Sequence, residues 1–167
     1  YMRKFMGDFE ESETYGNNYH LWVMYRYAEI LLNYAEALNE YEEKPSDEVY
    51  KVLRALRKRA GIEAGKDNKY GLEDNMSRDE MRLVIQNERR IEMAFEEQRY
   101  WDIRRWRLAE KIFEKPLQGM SIVSGAGSLS FERVDILSAK FDSRRYLYPI
   151  PYSEVIKNRN MVQNPKW

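Results

Sequence analysis

The sequence predicts a mostly α-helical fold. It consists of a helical hairpin, a long charged helix, irregular loops between them and short extended segments toward the C-terminus. Three observations predict this. Apolar residues recur at three- and four-residue steps through much of residues 22–113. Gly, Asn, Asp and Pro gather between those stretches rather than inside them. The chain has 167 residues, 43% hydrophobic and 34% charged, enough for one domain that buries roughly 70% of its unfolded surface.

Residues 1–21 mix Gly, Asn and Ser with aromatics and show no period, so they read as an irregular lead-in. Leu21, Met24, Ala28, Leu31, Leu32, Ala35 and Leu38 then step along one face of a helix running from about Trp22 to Glu43. The small Ala28, Ala35 and Ala37 allow another helix to approach closely. Pro45-Ser46 breaks the pattern, with Ser46 a candidate N-cap and Asp47 and Glu48 in a first turn that favours acids. The second helix has Val49, Val52, Leu53 and Leu56 on its inner face and stops at Gly61, a left-handed terminator after basic residues. So short a link predicts an antiparallel hairpin over about residues 22–61.

Residues 61–76 form a loop. Ser77-Arg-Asp-Glu80 has the spacing of a capping box, which starts a third helix near Arg78. That helix is predicted to continue to Phe113, with Met81, Val84, Ile85, Glu88, Ile91 and Phe95 along one face. Pro116 and Gly119 end it. Residues 119–143 contain GMSIVSGAGSLSFERVD, a flexible stretch able to form a hairpin. Arg145-Tyr-Leu-Tyr-Pro-Ile-Pro151 suits an extended segment, because each residue before a proline is driven from the helical region. A short helical turn follows near Ser153–Lys157, and the final Trp167 predicts a docked terminus.

Composition restricts the function classes. Lys+Arg and Asp+Glu both number 28, so the basic footprint of a nucleic-acid partner is missing. There is no cysteine and a single histidine, His20, which excludes disulfides, thiol nucleophiles and cysteine-ligated zinc. The acids of loop 61–76 lack the spacing of an EF-hand, and neither metal nor cofactor is expected. No run of 18 apolar residues suits a membrane-spanning helix. The chain starts at Tyr1 without a signal peptide, and is read as part of a longer protein whose export signal lies upstream.

Residues 88–106, ERRIEMAFEEQRYWDIRRW, hold five arginines, five acids and two tryptophans. Glu88, Glu92 and Glu96 fall on one helical face, the arrangement that invites a glycosidase reading. The neighbouring Arg89, Arg90, Arg99 and Arg104 oppose it, since guanidinium groups lower carboxylate pKa values while a general acid needs its value raised. H-E-x-x-H, P-loop and G-x-S-x-G motifs are absent as well, so no catalytic residue is assigned. A basic surface fails because acids accompany every arginine cluster. The remaining reading is a structural lock. Guanidinium groups fork onto carboxylates and lie on tryptophan rings, with Trp22, Trp101 and Trp106 expected in the core.

This stretch resembles the most recognisable motif of the SusD/RagB family, ER-x-x-E-[FLM]-A-F-E-G-x-R-[FYW]-x-D-L-x-R-W. Its counterparts here, Glu88, Arg89, Glu92, Phe95, Glu96, Arg99, Asp102, Arg105 and Trp106, together with Trp101 beside them, are taken as structural signature residues. Three further blocks resemble the family in the same order: Tyr25–Asn39, Val52–Gly61, and Tyr148–Glu154 followed by Asn158–Trp167. Three departures lie in turns: Glu97 and Lys166 stand where the family has Gly, and Arg159 where it has Pro.

The resemblance implies tetratricopeptide-like helical hairpins. It also implies an outer-membrane lipoprotein, facing the cell exterior in Bacteroidetes, that captures glycans or peptides for a TonB-dependent SusC-like transporter. The lipid anchor would lie outside this chain, which corresponds to the C-terminal portion of a member and mainly to its scaffold. The competing reading is a helical-repeat adaptor that binds proteins. None of the motif residues is a recognised sugar ligand. The candidate ligand-binding residues are aromatics outside helical periodicity, Tyr15, Tyr19 and Tyr70. A helical array cut before residue 1 would expose an apolar face. Self-association through that face, or loss of order over residues 1–20 and 61–76, is therefore expected.

Overall fold

The computed structural model describes residues 4, 5, 22–125 and 127–167. The expected lead-in at 1–21, with Tyr15, Tyr19 and His20, otherwise lies outside the described residues. The chain divides into two compact units, residues 1–99 and 100–167.

In the first unit, α1 (Tyr27–Tyr41) packs against both α2 (Asp47–Arg59) and α3 (Arg78–Glu92). The apolar faces meet as the periodicity predicts: Leu32 and Ala35 of α1, Val49 and Leu53 of α2, and Met81 and Ile85 of α3 are almost fully excluded from water. Each large side chain so buried contributes roughly 1.5–3 kcal/mol. The opposite face of α1 carries Tyr27, Ile30, Tyr34 and Tyr41, all exposed. α1 starts five residues later than expected because Arg26 is extended, at φ −130° and ψ 150°. Met24, expected on the inner face, is consequently exposed, and so is Trp22, whose ring lies 5.4 Å from that of Phe5.

Local signals set most helix ends. α2 ends with Gly61 at φ +81°, its N–H on the carbonyl of Lys58 and the next N–H on that of Arg57, the paired bonds of a left-handed helix stop. Ser77 starts α3 with both bonds of the capping box: its hydroxyl accepts from the Glu80 N–H, and the Glu80 carboxylate accepts from the Ser77 N–H. Ser46 occupies the N-cap position of α2, but its hydroxyl makes no capping bond. Its backbone N–H donates instead to the Glu42 carboxylate at 3.2 Å. Loop 61–76 turns back on the core and buries Leu72 and Met76. The Met76 N–H donates to the Tyr50 hydroxyl at 3.1 Å.

The segment expected as one helix over 78–113 is three: α3, α4 (Gln98–Arg105) and α5 (Ala109–Phe113). The first break holds Phe95 and Glu97, at φ +64° and +63°. Glu97 thus adopts the left-handed conformation that glycine takes without steric cost, which accounts for the glycine of the motif. Phe95, expected on the packed face, is exposed because the helix has ended before it, and Ile91, still within the last turn of α3, is exposed as well. The second break is at Arg107, φ +56°.

In the second unit, β1 (Leu117–Gly125) and β2 (Ser128–Leu137) form an antiparallel hairpin in which Ile122 pairs with Phe131. At Gly119 a Cβ would lie 2.1 Å from Ile136 Cδ1, so the Ile136 side chain needs the space over that glycine. A small core joins Ile103, Ala109 and Phe141, with Tyr146 against it. α6 (Tyr152–Lys157) follows the extended run through Pro149 and Pro151. The Gln163 amide bonds both the N–H and the carbonyl of Ile150 at 2.8 Å. Trp167 docks through polar contacts rather than deep burial: its indole N–H is 3.1 Å from the carbonyls of Arg144 and Leu147, and the Arg144 guanidinium lies 4.7 Å from the ring.

Candidate functional site

The charged stretch splits into two chemistries. In the first unit Glu88, Glu92 and Glu96 are matched to cations from other elements, rather than to neighbours on their own helix. Arg26 forks onto Glu96 at 2.7 and 2.8 Å, bonds Glu92 Oε1 at 2.7 Å and donates to the Glu92 carbonyl at 2.8 Å. Lys4 ion-pairs with Glu96 and donates to the carbonyls of Glu92 and Ala94. These donors satisfy carbonyls that the end of α3 leaves without helical partners. Arg57 bonds Glu88 at 2.9 Å and the Tyr70 carbonyl at 2.9 Å. Arg89 is buried, with Asn33 Oδ1 at 2.6 Å.

Burial pushes the Glu96 carboxyl up, but the bonds from Arg26 and Lys4 and their charges outweigh it and hold its pKa below the ordinary value. Arg82 does the same to Glu40, and the Ser77 cap to Glu80. Among the described residues, the carboxylates that shift, Glu40, Glu80 and Glu96, move away from the raised value a general acid needs.

The second unit carries a different arrangement. A groove of about 490 Å³ is lined by Trp101, Arg104, Arg105 and Arg107 on one side, and by Tyr146, Leu147 and Tyr148 on the other. Trp101 is 56% exposed and Tyr148 59%. This corrects the expectation that Trp101 belongs to the core. Their ring centroids are 6.4 Å apart, and Tyr100 meets Trp101 edge-on at 5.0 Å. The hydroxyls of Tyr100 and Tyr148 are hydrogen-bonded to each other, and that bond raises the Tyr148 pKa. The Arg104 guanidinium lies 3.4 Å from the Tyr100 ring centre and donates to the Tyr100 carbonyl at 2.9 Å. Arg105 pairs with the buried Asp102 at 2.9 Å and covers Trp106, which is half-buried, at 4.5 Å. Arg107 lies over Tyr146 at 4.6 Å.

Flat apolar rings rimmed by hydroxyl and guanidinium donors can stack on one face of a ligand while bonding its polar edge. A larger depression of about 700 Å³ lies in the first unit between Glu43, Lys44, Asp47, Arg54 and Asp74. Its charges alternate in sign. Its one aromatic residue, Tyr50, already uses its hydroxyl on Met76.

Of the candidates from sequence, Tyr15 and Tyr19 fall outside the described residues. Tyr70 is half-buried in its loop at φ +55°, with its carbonyl bound to Arg57, and it belongs to the first unit. The groove residues were missed. The available signal was that Trp101 and Arg104 fall at open positions of the motif, between residues that build the fold.

The sequence profile of the SusD family matches residues 1–167. The chain is 35% identical over 144 residues to SusD-like protein P2 of Formosa agariphila, an alignment covering 86% of this chain and 25% of that protein. It is similar in structure to a SusD-like protein from Bacteroides fragilis, with a TM-score of 0.70 and 31% identity over 87% of this chain and 26% of that one. A SusD homologue from Bacteroides thetaiotaomicron gives a TM-score of 0.67 and 25% identity over 93% and 30% of the two chains. The chain therefore spans about a quarter of the length of the relatives it matches.

Proposed function

This chain belongs to the SusD family, and from that premise we propose that it is part of a binding protein, not an enzyme, which captures glycans at the outer face of the outer membrane. It delivers them to a TonB-dependent SusC-like transporter and is held at the membrane by a lipid anchor outside this chain. The match of the family profile to residues 1–167 carries this reading. One feature supports it: the Glu96 and Glu40 carboxylates are held ionised by arginine and lysine rather than poised for proton transfer.

The division of labour within the chain belongs to the proposal. Residues 1–99 form the scaffold, since their charged groups meet each other and their apolar faces form the larger core. The exposed row Tyr27, Ile30, Tyr34 and Tyr41 on α1 suits a further helical repeat stacked against it.

Calorimetric titration of a glycan panel tests the reading, using this chain and the longest encoded form of the protein. Binding of at least one polymer to the longer form, and its co-purification with a TonB-dependent transporter, is expected. Absence of glycan binding across the panel in both forms contradicts it.

A further inference from the structure

We propose that the Trp101–Tyr148 groove is a subsite for an acidic saccharide, one bearing carboxylates or sulfates. The proposal rests on the glycan-binding reading above and adds to it a place and a charge.

The place follows from exposure. Trp101 and Tyr148 present ring surface to solvent beside a groove of about 490 Å³, a size that accommodates one or two sugar units. Nothing in the small core of this unit uses those faces; that core is Ile103, Ala109 and Phe141.

The charge follows from the lining. Three arginines and no acid line the groove. Arg105 is paired with Asp102, whereas among the described residues neither Arg104 nor Arg107 meets a carboxylate. The Arg104 Nε is buried without a hydrogen-bond partner. A second depression continues from Arg107, Tyr146 and Leu147 to Arg144 and Lys166, with Glu110 its one acid. Residues 100–167 hold twelve Lys and Arg against seven Asp and Glu, a net +5 within a chain that is neutral overall. Guanidinium groups match carboxylate and sulfate geometry better than they match neutral hydroxyls.

Arg107 adds an independent observation. It sits at φ +56°, at the stop of α4, with its N–H on the Arg104 carbonyl and the Leu108 N–H on that of Ile103. That position favours glycine. The backbone of Arg107 serves that turn, and its guanidinium lies over Tyr146 at the rim of the cationic groove, where a glycine would leave no charge.

The test is calorimetry of the 167-residue chain with a trigalacturonate and its methyl ester, which is the same sugar without charge. A sulfated trisaccharide and a glutamate oligomer of equal charge accompany them. Expected are binding of the acidic sugars at least tenfold tighter than the ester, and weakening as salt rises. Trp101→Ala should lower affinity about tenfold. Arg107→Gly should lower it severalfold while leaving the melting temperature unchanged or raised, which a purely structural arginine would not do.

Equal affinity for acid and ester overturns the acidic subsite and leaves glycan capture standing. So does acidic-sugar binding that survives Trp101→Ala, or a glutamate oligomer that binds as well as the sugar. Glycan binding by the longer form alone, with none by this chain, also overturns the subsite without touching capture. Failure of both forms with every glycan removes both proposals together.

Discussion

Residues 1–99 and 100–167 use the same residue types to opposite ends. In the first unit, arginine and glutamate are half-buried and matched: Arg26 with Glu92 and Glu96, Arg57 with Glu88. Those pairs join α3 to the segment before α1 and to the end of α2. In the second unit, arginines lie on aromatic rings, and among the described residues only Arg105 of those lining the groove meets a carboxylate. An arginine is structural when its charge is consumed inside the fold and available when it is not. Counting charged residues along the sequence does not separate the two cases; partner and burial do.

The largest expected effect falls in the first unit. Leu53→Ala removes a side chain that is 0% exposed at the meeting of α1, α2 and α3. It should cost about 3–4 kcal/mol, read from the shift in the denaturant midpoint at constant slope. An equal substitution at Leu147, exposed beside the groove, should cost less than half of that.

Arg26→Ala comes next. It leaves Glu96, whose side chain is only 5% exposed, with Lys4 as its remaining cation, and should cost about 2 kcal/mol. The same contact predicts a pH dependence. The unfolded chain protonates Glu96 near its ordinary pKa of 4.5, before the folded protein does. The contribution is therefore complete at neutral pH and is lost as pH falls below about 4.5 through the lower folded value. Glu96→Gln should flatten that part of an acid-unfolding profile. A profile unchanged by the substitution would remove Glu96 from the lock.

The turns give smaller effects of opposite sign. Glu97→Gly and Lys166→Gly each replace a residue held at positive φ, +63° and +69°. Each should stabilise by up to about 1 kcal/mol in thermal melts. Smallest of all, Trp101→Ala should change stability by no more than about 0.5 kcal/mol, since the indole is mostly solvated. A loss of several kcal/mol there would move Trp101 back into the core, and the contrast between the units would fail.

Much of the first unit was legible in the sequence because its signals are local. The spacing of Val49, Val52, Leu53 and Leu56, the Ser77–Glu80 box and the Gly61 stop each act within a turn or two of helix. The family was legible because four motifs occur in order along the chain, from Tyr25 to Trp167. The breaks in 78–113 were not, because Phe95, Glu97 and Arg107 adopt a backbone conformation their side chains disfavour, so no residue type announces it. The groove was hidden for a different reason. Trp101 follows helical spacing, and only the return of Tyr146–Tyr148, some 45 residues later in the chain, shows which face of its helix stays open.

The most direct measurement is a crossed pair of arginine substitutions, each followed by melting temperature and by trigalacturonate affinity well below the melting transition. Arg26→Gln should lower the melting temperature and leave affinity unchanged, while Arg107→Gln should lower affinity and leave the melting temperature unchanged. If either substitution moves both quantities, or the two exchange effects, the separation of structural from available arginines is contradicted.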